Sequence, residues 1–428
     1  MEFAQLGILM APMLILMFLG VPIFLSMGIS CFIFVLAFDL PTMILAKSYV
    51  TGLGSYDFLA LPFYFLAGEL MSGGGITERM VKFCQSFIGH IRGGLSHVNI
   101  IASMIFSGVS GSSVADASAI GSVLIPSMKK DGFPPDYTAA VTASSATIGP
   151  VIPPSIPLVV YGLIAHLSIG KLFLAGATPG ILMGVYLLVV SFVISRRRNY
   201  PRTERATLRQ IVSTTINALP AIIMPGIILG GILTGIVTPT EAGVIAVVYG
   251  MIIGIFVYRE LKIRDIPKIL GDTMAHSGTI LMIIATTGLF CWIIANMGLG
   301  ASLVELFLSI STNKYVILAI LNIFFLFWGC FFDPITALVI IVPILIPLVQ
   351  QVGIDPIHFG LIVILNLQIG GLTPPVGLLV FLCSTMAKAR IGDVIRENIP
   401  FLIALLLVLV IATYIPITVM WLPDLFMK

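Results

Sequence analysis

A single register shift ties one half of this chain to the other. Gly108 and Gly329 lie 221 positions apart. The same interval separates Pro126 from Pro347, Gly132 from Gly353, Pro135 from Pro356, Gly149 from Gly370, and Pro153-Pro154 from Pro374-Pro375. These are turn formers and helix breakers, and they align without a gap. An internal repeat of this kind is the sequence mark of secondary transporters.

The breakers interrupt apolar sequence. Of 428 residues, 58% are hydrophobic and 10% charged, a balance that belongs to polytopic membrane proteins. An unpaired backbone group in lipid costs several kcal/mol, so a broken helix persists at membrane depth only where it lines a protein cavity. Gly- and Ser-rich stretches can also serve close helix packing alone. Duplication at constant offset, with a Pro-Pro break after each copy, favours a binding site. The net charge of +3 and the lack of a basic stripe interleaved with aromatics exclude a nucleic-acid partner. The five cysteines (Cys31, Cys84, Cys291, Cys330, Cys383) form no CxxC or Cys/His cluster and read as small core residues.

The expected fold is an all-α polytopic membrane protein. Residues 4–38 form one uncharged apolar run, which as one helix would be about 52 Å long, so they split at Gly20-Val21-Pro22 into two short spans. Residues 39–57 read as a loop and 58–75 as a span. The first repeat, 1–195, contains a hairpin over 95–128 and a broken helix over 136–165. A basic linker, 196–215, carries Arg196, Arg197, Arg198, Arg202, Arg205 and Arg209. The second repeat, 216–428, contains a hairpin over 315–348 and a broken helix over 357–385, with a further span expected near 275–298. If the two hairpins enter the membrane and return, 18 of the 22 lysines and arginines fall on one side, which the positive-inside rule makes cytoplasmic. The halves then start on opposite sides, as an inverted-topology repeat.

The first tip, Gly108-Val109-Ser110-Gly111-Ser112-Ser113, offers hydroxyls, and the break at Gly149-Pro150 frees carbonyls because Pro153 and Pro154 have no N–H. The second tip offers carbonyls near Gly329 and Phe332 with Asp333 and Thr336; its break offers Gly370, Gly371 and Thr373. Neutral oxygens at half-helix C-termini suit Na⁺, and half-helix N-termini suit an anionic group. Two such sites imply two or more bound cations, with substrate between the tips. Asp116 and Asp333 are intramembrane acids and hence site candidates; Asn366 and its mirror Ser145 are further candidates. Gly108-Val109-Ser110-Gly111 also spells the GxSG of intramembrane serine proteases, which need a histidine base nearby. That remote alternative leaves the repeat unexplained. There is no HExxH or Walker A sequence, so neither zinc chemistry nor ATP hydrolysis is expected.

The stretches GVSGSSVADASAIGSVLIPSM (108–128), GFPPDYTAAVTASSATIGPVIPPSIPLVVYG (132–162), FFDPITALVIIVPILIPL (331–348) and GGLTPPVG (370–377) resemble the large membrane (M) subunit of tripartite ATP-independent periplasmic (TRAP) transporters, along essentially the whole chain. The resemblance implies an elevator-type, Na⁺-coupled importer in the bacterial inner membrane. It implies a periplasmic binding (P) protein and a small membrane (Q) subunit as partners, the latter expected as a separate chain. It implies a carboxylate substrate such as a sialic acid or C4-dicarboxylate. By the same resemblance Ser110, Ser112, Ser113, Gly149, Pro150 and Ser155 fall at the first Na⁺ site and substrate edge, and Asp333, Thr336, Gly370, Gly371 and Thr373 at the second. The alternative is a divalent-anion:Na⁺ symporter acting alone.

Overall fold

The computed structural model describes residues 2–52, 54 and 56–427. Among the described residues every regular element is helical. The first half runs α1 (Glu2–Phe18), α2 (Ile23–Ala37), α3 (Met43–Gly52), α4 (Ala60–Gly73), α5 (Ile76–Ile88), α6 (Gly94–Ser110), α7 (Ser113–Lys130), α8 (Pro135–Ala146), α9 (Ile156–Ala165) and α10 (Ile169–Arg197). The second runs α11 (Leu208–Leu233), α12 (Pro239–Ile252), α13 (Ile266–Asn296), α14 (Leu299–Ile310), α15 (Lys314–Gly329), α16 (Pro334–Gln351), α17 (Pro356–Gly370), α18 (Leu378–Ala387), α19 (Ile391–Tyr414) and α20 (Ile417–Phe426).

The 221-residue interval carries over into the helices. Both ends of α16 fall that distance beyond the ends of α7, and α17 starts that distance beyond α8. The reason is local. Gly132 and Gly353 turn the chain with φ of +90° and +73°, a region where glycine has no steric penalty. Pro135 and Pro356 then take the first helical position, where a missing N–H is harmless. Both Pro-Pro bonds of the breaks are cis.

Three expectations change. Residues 43–52, read as part of a loop, form α3, which packs on α13. Lys47 is the one charge in that stretch, so a helix can bury its apolar side. Leu53 and Ser55, also within the expected loop, lie outside the described residues. The helix expected near 275 begins at Ile266. The non-helical part of the basic linker is shorter than 196–215, because α10 ends at Arg197 and α11 starts at Leu208 on a Thr207–Gln210 capping box.

Among the described residues six helices are long and apolar enough to cross a membrane, and α14 and α15 meet at a 113° bend. α1 and α2 pack as two short spans joined at 19–22. The segments α8 and α17 lie at the centre: every residue from Tyr137 to Ala146 and from Ile357 to Gly370 is buried. Small side chains make that possible in α8 (Ala139, Ala140, Ala143, Ser144, Ser145, Ala146), letting α6, α7, α18 and α19 close around it. Outside this body, α4 packs on α12 and α13, and α5 and α14 lie against the two hairpins. The cysteines are free, and four of the five are buried.

The hairpins open toward opposite faces. At the base of the first, Gly93 N–H donates to Pro201 O (3.0 Å), Arg92 to Asn199 Oδ1 (2.7 Å) and Lys129 Nζ to Ala387 O (2.8 Å). The linker's Arg198 forks onto Glu397 near the start of α19 (2.8 and 2.9 Å). At the base of the second, the Tyr315 ring lies 6.0 Å from that of Tyr414, at the end of α19, and Tyr161 donates to Pro356 O (2.5 Å). The bases therefore sit at opposite ends of α19, which at 24 residues spans about 36 Å.

Candidate functional site

The two hairpin tips meet. A cleft of about 30 Å³ between them is lined by Gly111, Ser112, Ser113 and Val114 of the first tip and by Asp333, Pro334 and Ile335 of the second. Pro150, Ile156 and Pro157 of the first break, Phe65 of α4 and Gln368 of α17 complete it. About 10–15 Å³ of such space holds one water, so the space between the closed tips has room for one small polar group.

Three half-helix N-termini converge there: those of α7, α9 and α16. Each is capped by a side chain. Ser112 Oγ accepts from Ala115 N–H (3.5 Å) and Ser155 Oγ from Leu158 N–H (3.3 Å). Asp333 Oδ2 accepts from the N–H groups of Ile335 (3.1 Å) and Thr336 (3.3 Å). Helix N-termini carry partial positive charge and attract anions. The one acidic or basic side chain lining the cleft is that of Asp333, on an exposed residue.

The tips are held by close backbone approaches. Gly111 turns with φ +60°, and its carbonyl accepts from Ile156 N–H (3.3 Å), so the first tip docks on the first break. A Cβ built on Gly370 would lie 2.7 Å from the Cα of Gly329, so the second tip and the end of α17 touch backbone to backbone. A Cβ on Gly149 would lie 2.3 Å from Asp116 Oδ2.

Of the residues singled out in the sequence, Ser112, Ser113, Pro150 and Asp333 line the cleft. Ser155 donates to Pro150 O (2.5 Å) and shapes the break. Ser110 is turned inward: its hydroxyl donates to Asp116, which also accepts from Ser107 (3.3 Å). Asp116 is fully buried and heads a polar chain that runs from the first hairpin to α8. Ser107 donates to Ser103 O (2.5 Å), Ser103 to Ser145 Oγ (3.0 Å), and Ser145 to Asn99 Oδ1 (2.9 Å). Asn366 donates to Asn322 Oδ1 (2.7 Å) and Ile362 O (2.8 Å), inside the second half and away from the cleft. Phe332 stacks on Trp328 at 4.7 Å. Thr336 is buried. Gly370 O accepts from Thr373 N–H (2.8 Å), and Gly371 O from Leu379 N–H (3.2 Å). Gln368 also lines the cleft and is not among the residues expected from the sequence; its signal there is an amide in an otherwise apolar run.

Among the described residues no histidine bonds to Ser110. Of the two buried histidines, His97 Nδ1 bonds to Ser191 Oγ (3.0 Å) and His358 Nε2 to Ala412 O (2.7 Å). The GxSG pattern is here a hairpin tip.

A helical membrane body with paired re-entrant tips closing on broken helices defines a membrane transporter. Residues 10–418 match the family described as tripartite ATP-independent periplasmic transporter, DctM component, and the chain belongs to that family. It is a multi-pass inner-membrane transport protein and not an enzyme. It is 39% identical to the sialic acid TRAP transporter large permease protein SiaM of Vibrio cholerae, over 96% of this chain and 97% of that one. It is 38% identical to the C4-dicarboxylate TRAP transporter large permease protein DctM of Pseudomonas aeruginosa, over 86% of each chain. Against the isethionate TRAP transporter permease protein DctMQ of Oleidesulfovibrio alaskensis it is 37% identical over 93% of this chain and 63% of that longer one. Among solved structures, the YdaH transporter of Alcanivorax borkumensis shares the fold, with TM-score 0.61 and 15% identity over 87% of this chain and 89% of that one.

Proposed function

We propose that this chain is the large subunit of a Na⁺-coupled secondary importer of a carboxylate solute. The observation that carries the reading is the convergence of three half-helix N-termini and one carboxylate on a single cleft between opposed hairpin tips. The N-termini favour an anionic substrate group. The Asp333 carboxylate opposes one unless a cation lies beside it, which gives a physical reason for coupling. The donor set fits Na⁺: hydroxyls of Ser112 and Ser113, the carbonyl of Pro150 and the carboxylate of Asp333, all oxygen. The second cation would draw on the carbonyls and hydroxyls around Gly329, Thr336, Gly370, Gly371 and Thr373. The relatives named for sialic acid, C4-dicarboxylate and isethionate support an anionic solute.

The hairpins and broken helices pack as one body, and the outer helices touch it at small residues. A Cβ on Gly68 of α4 would lie 3.5 Å from the Cα of Ser110, and one on Gly108 2.7 Å from Pro225 of α11. Smooth contact between two packed bodies suits an elevator motion of one against the other. A periplasmic binding protein would deliver the solute, and a small membrane subunit on a separate chain would pair with the outer helices; the relatives' description as large permease proteins supports a small counterpart. The tripartite family speaks against a symporter acting alone. Reconstitution of the chain with both partners in proteoliposomes tests the reading. Uptake should require an inward Na⁺ gradient, and full uptake driven by protons alone refutes the coupling.

A further inference from the structure

Gln368 is 1% exposed and lines the cleft, yet among the described residues neither its Oε1 nor its Nε2 has a hydrogen-bond partner. Buried side-chain amides are satisfied in folded proteins with few exceptions, and an orphaned one calls for an explanation. The repeat supplies a comparison. The residue 221 positions earlier is Thr147, whose hydroxyl donates to Ser144 O (2.7 Å) within its own segment. A group that binds a feature present in both halves would be expected in both copies. Gln368 is instead a point where the copies differ, and an asymmetric solute is what an asymmetric residue reads.

We propose that the Gln368 carboxamide binds the carboxylate of the transported solute, donating Nε2–H to one carboxylate oxygen. The inference rests on the transport reading above and adds a residue to it. The N-termini of α7 and α9 face the same space and suit the negative end of such a group. The cleft, at about 30 Å³, takes one small polar group, and the rest of the solute requires the tips to part. The amide's remaining end, Oε1, is an acceptor and is free to face a hydroxyl of the solute. A carboxylate therefore completes the Nε2 side, which a bare cation does not.

The test uses the full chain, purified with its small subunit in nanodiscs, with sialic acid and succinate as probes at saturating Na⁺. Binding is measured for the wild type, Gln368→Met, which keeps the side-chain length, and Gln368→Glu, which keeps the shape. A lost hydrogen bond to a charged group weakens binding about 10- to 100-fold. Gln368→Met should show that loss for whichever probe the wild type binds, with the Na⁺ half-saturation of ligand-free protein unchanged, and Gln368→Glu a larger loss. Wild-type affinity in Gln368→Met overturns the proposal, because a buried water then satisfies the amide. A shift in Na⁺ half-saturation alone makes Gln368 a cation ligand and also overturns it. If Gln368→Met does not fold, Gln368→Glu carries the same comparison. Wild-type protein that binds neither probe, or binds without Na⁺, overturns the transport reading and this inference with it, whereas Na⁺-dependent wild-type binding unaffected by either variant overturns this inference alone.

Discussion

Asp333 stands 221 residues beyond Ser112, and both cap the second helix of their hairpin. The repeat thus offers a substitution that separates two roles of one carboxylate. Asp333→Ser places in the second tip the cap that the first already uses, so an acceptor for the α16 N-terminus is kept. Asp333→Ala removes the cap, at about 0.5–2 kcal/mol. The charge is a separate quantity. A cation about 4 Å from a carboxylate gains about 4 kcal/mol at an effective dielectric of about 20, roughly a thousandfold in affinity. The charge therefore outweighs the cap. Asp333→Ser should melt within about 0.5 kcal/mol of the wild type and need roughly a hundred- to a thousandfold more Na⁺ for half-maximal uptake. Asp333→Ala should lose both stability and uptake. The assays are thermal unfolding of the purified chain and Na⁺-dependent uptake in proteoliposomes with both partners. If Asp333→Ser keeps the Na⁺ dependence of the wild type, the carboxylate is a cap only and the coupling argument built on it fails.

Gly370→Ala would press a methyl within 2.7 Å of the Gly329 backbone, and overpacking of that kind costs about 1–3 kcal/mol; thermal unfolding should show the loss, and an unchanged midpoint would mean the second tip does not rest on α17. Ser110→Ala leaves Asp116 with one donor fewer in a buried site, a loss of about 1–3 kcal/mol, measured the same way, whereas a residue that only touches solute would leave stability unchanged. The Arg198–Glu397 fork is partly exposed, with side chains 44% and 18% accessible, so Glu397→Gln should cost no more than about 1 kcal/mol while raising protease sensitivity of the 198–207 linker.

Much of the fold was legible because its determinants are local. Gly132 and Gly353 turn the chain, Pro135 and Pro356 start the next helices, and the breaks at Pro153-Pro154 and Pro374-Pro375 recur at one interval. Each acts through its own backbone, so composition and spacing alone place it. α3 was missed because an apolar ten-residue stretch with one lysine reads as loop until α13 is there to cover it.

The site divides along the same line. Sequence alone fixed that the tips and breaks would be polar and paired, since unpaired backbone in lipid demands a reason. Ser112, Ser113, Pro150 and Asp333, singled out in the sequence, line the cleft. Tertiary structure decided the rest. Ser110 and Asp116 satisfy each other inside the first hairpin, Asn366 pairs with Asn322, and Gln368 is brought from α17 to the tips with both ends of its amide open. Helix periodicity sets which residues share a face. What that face meets depends on how segments far apart in the chain are packed together, and only the folded body holds that information.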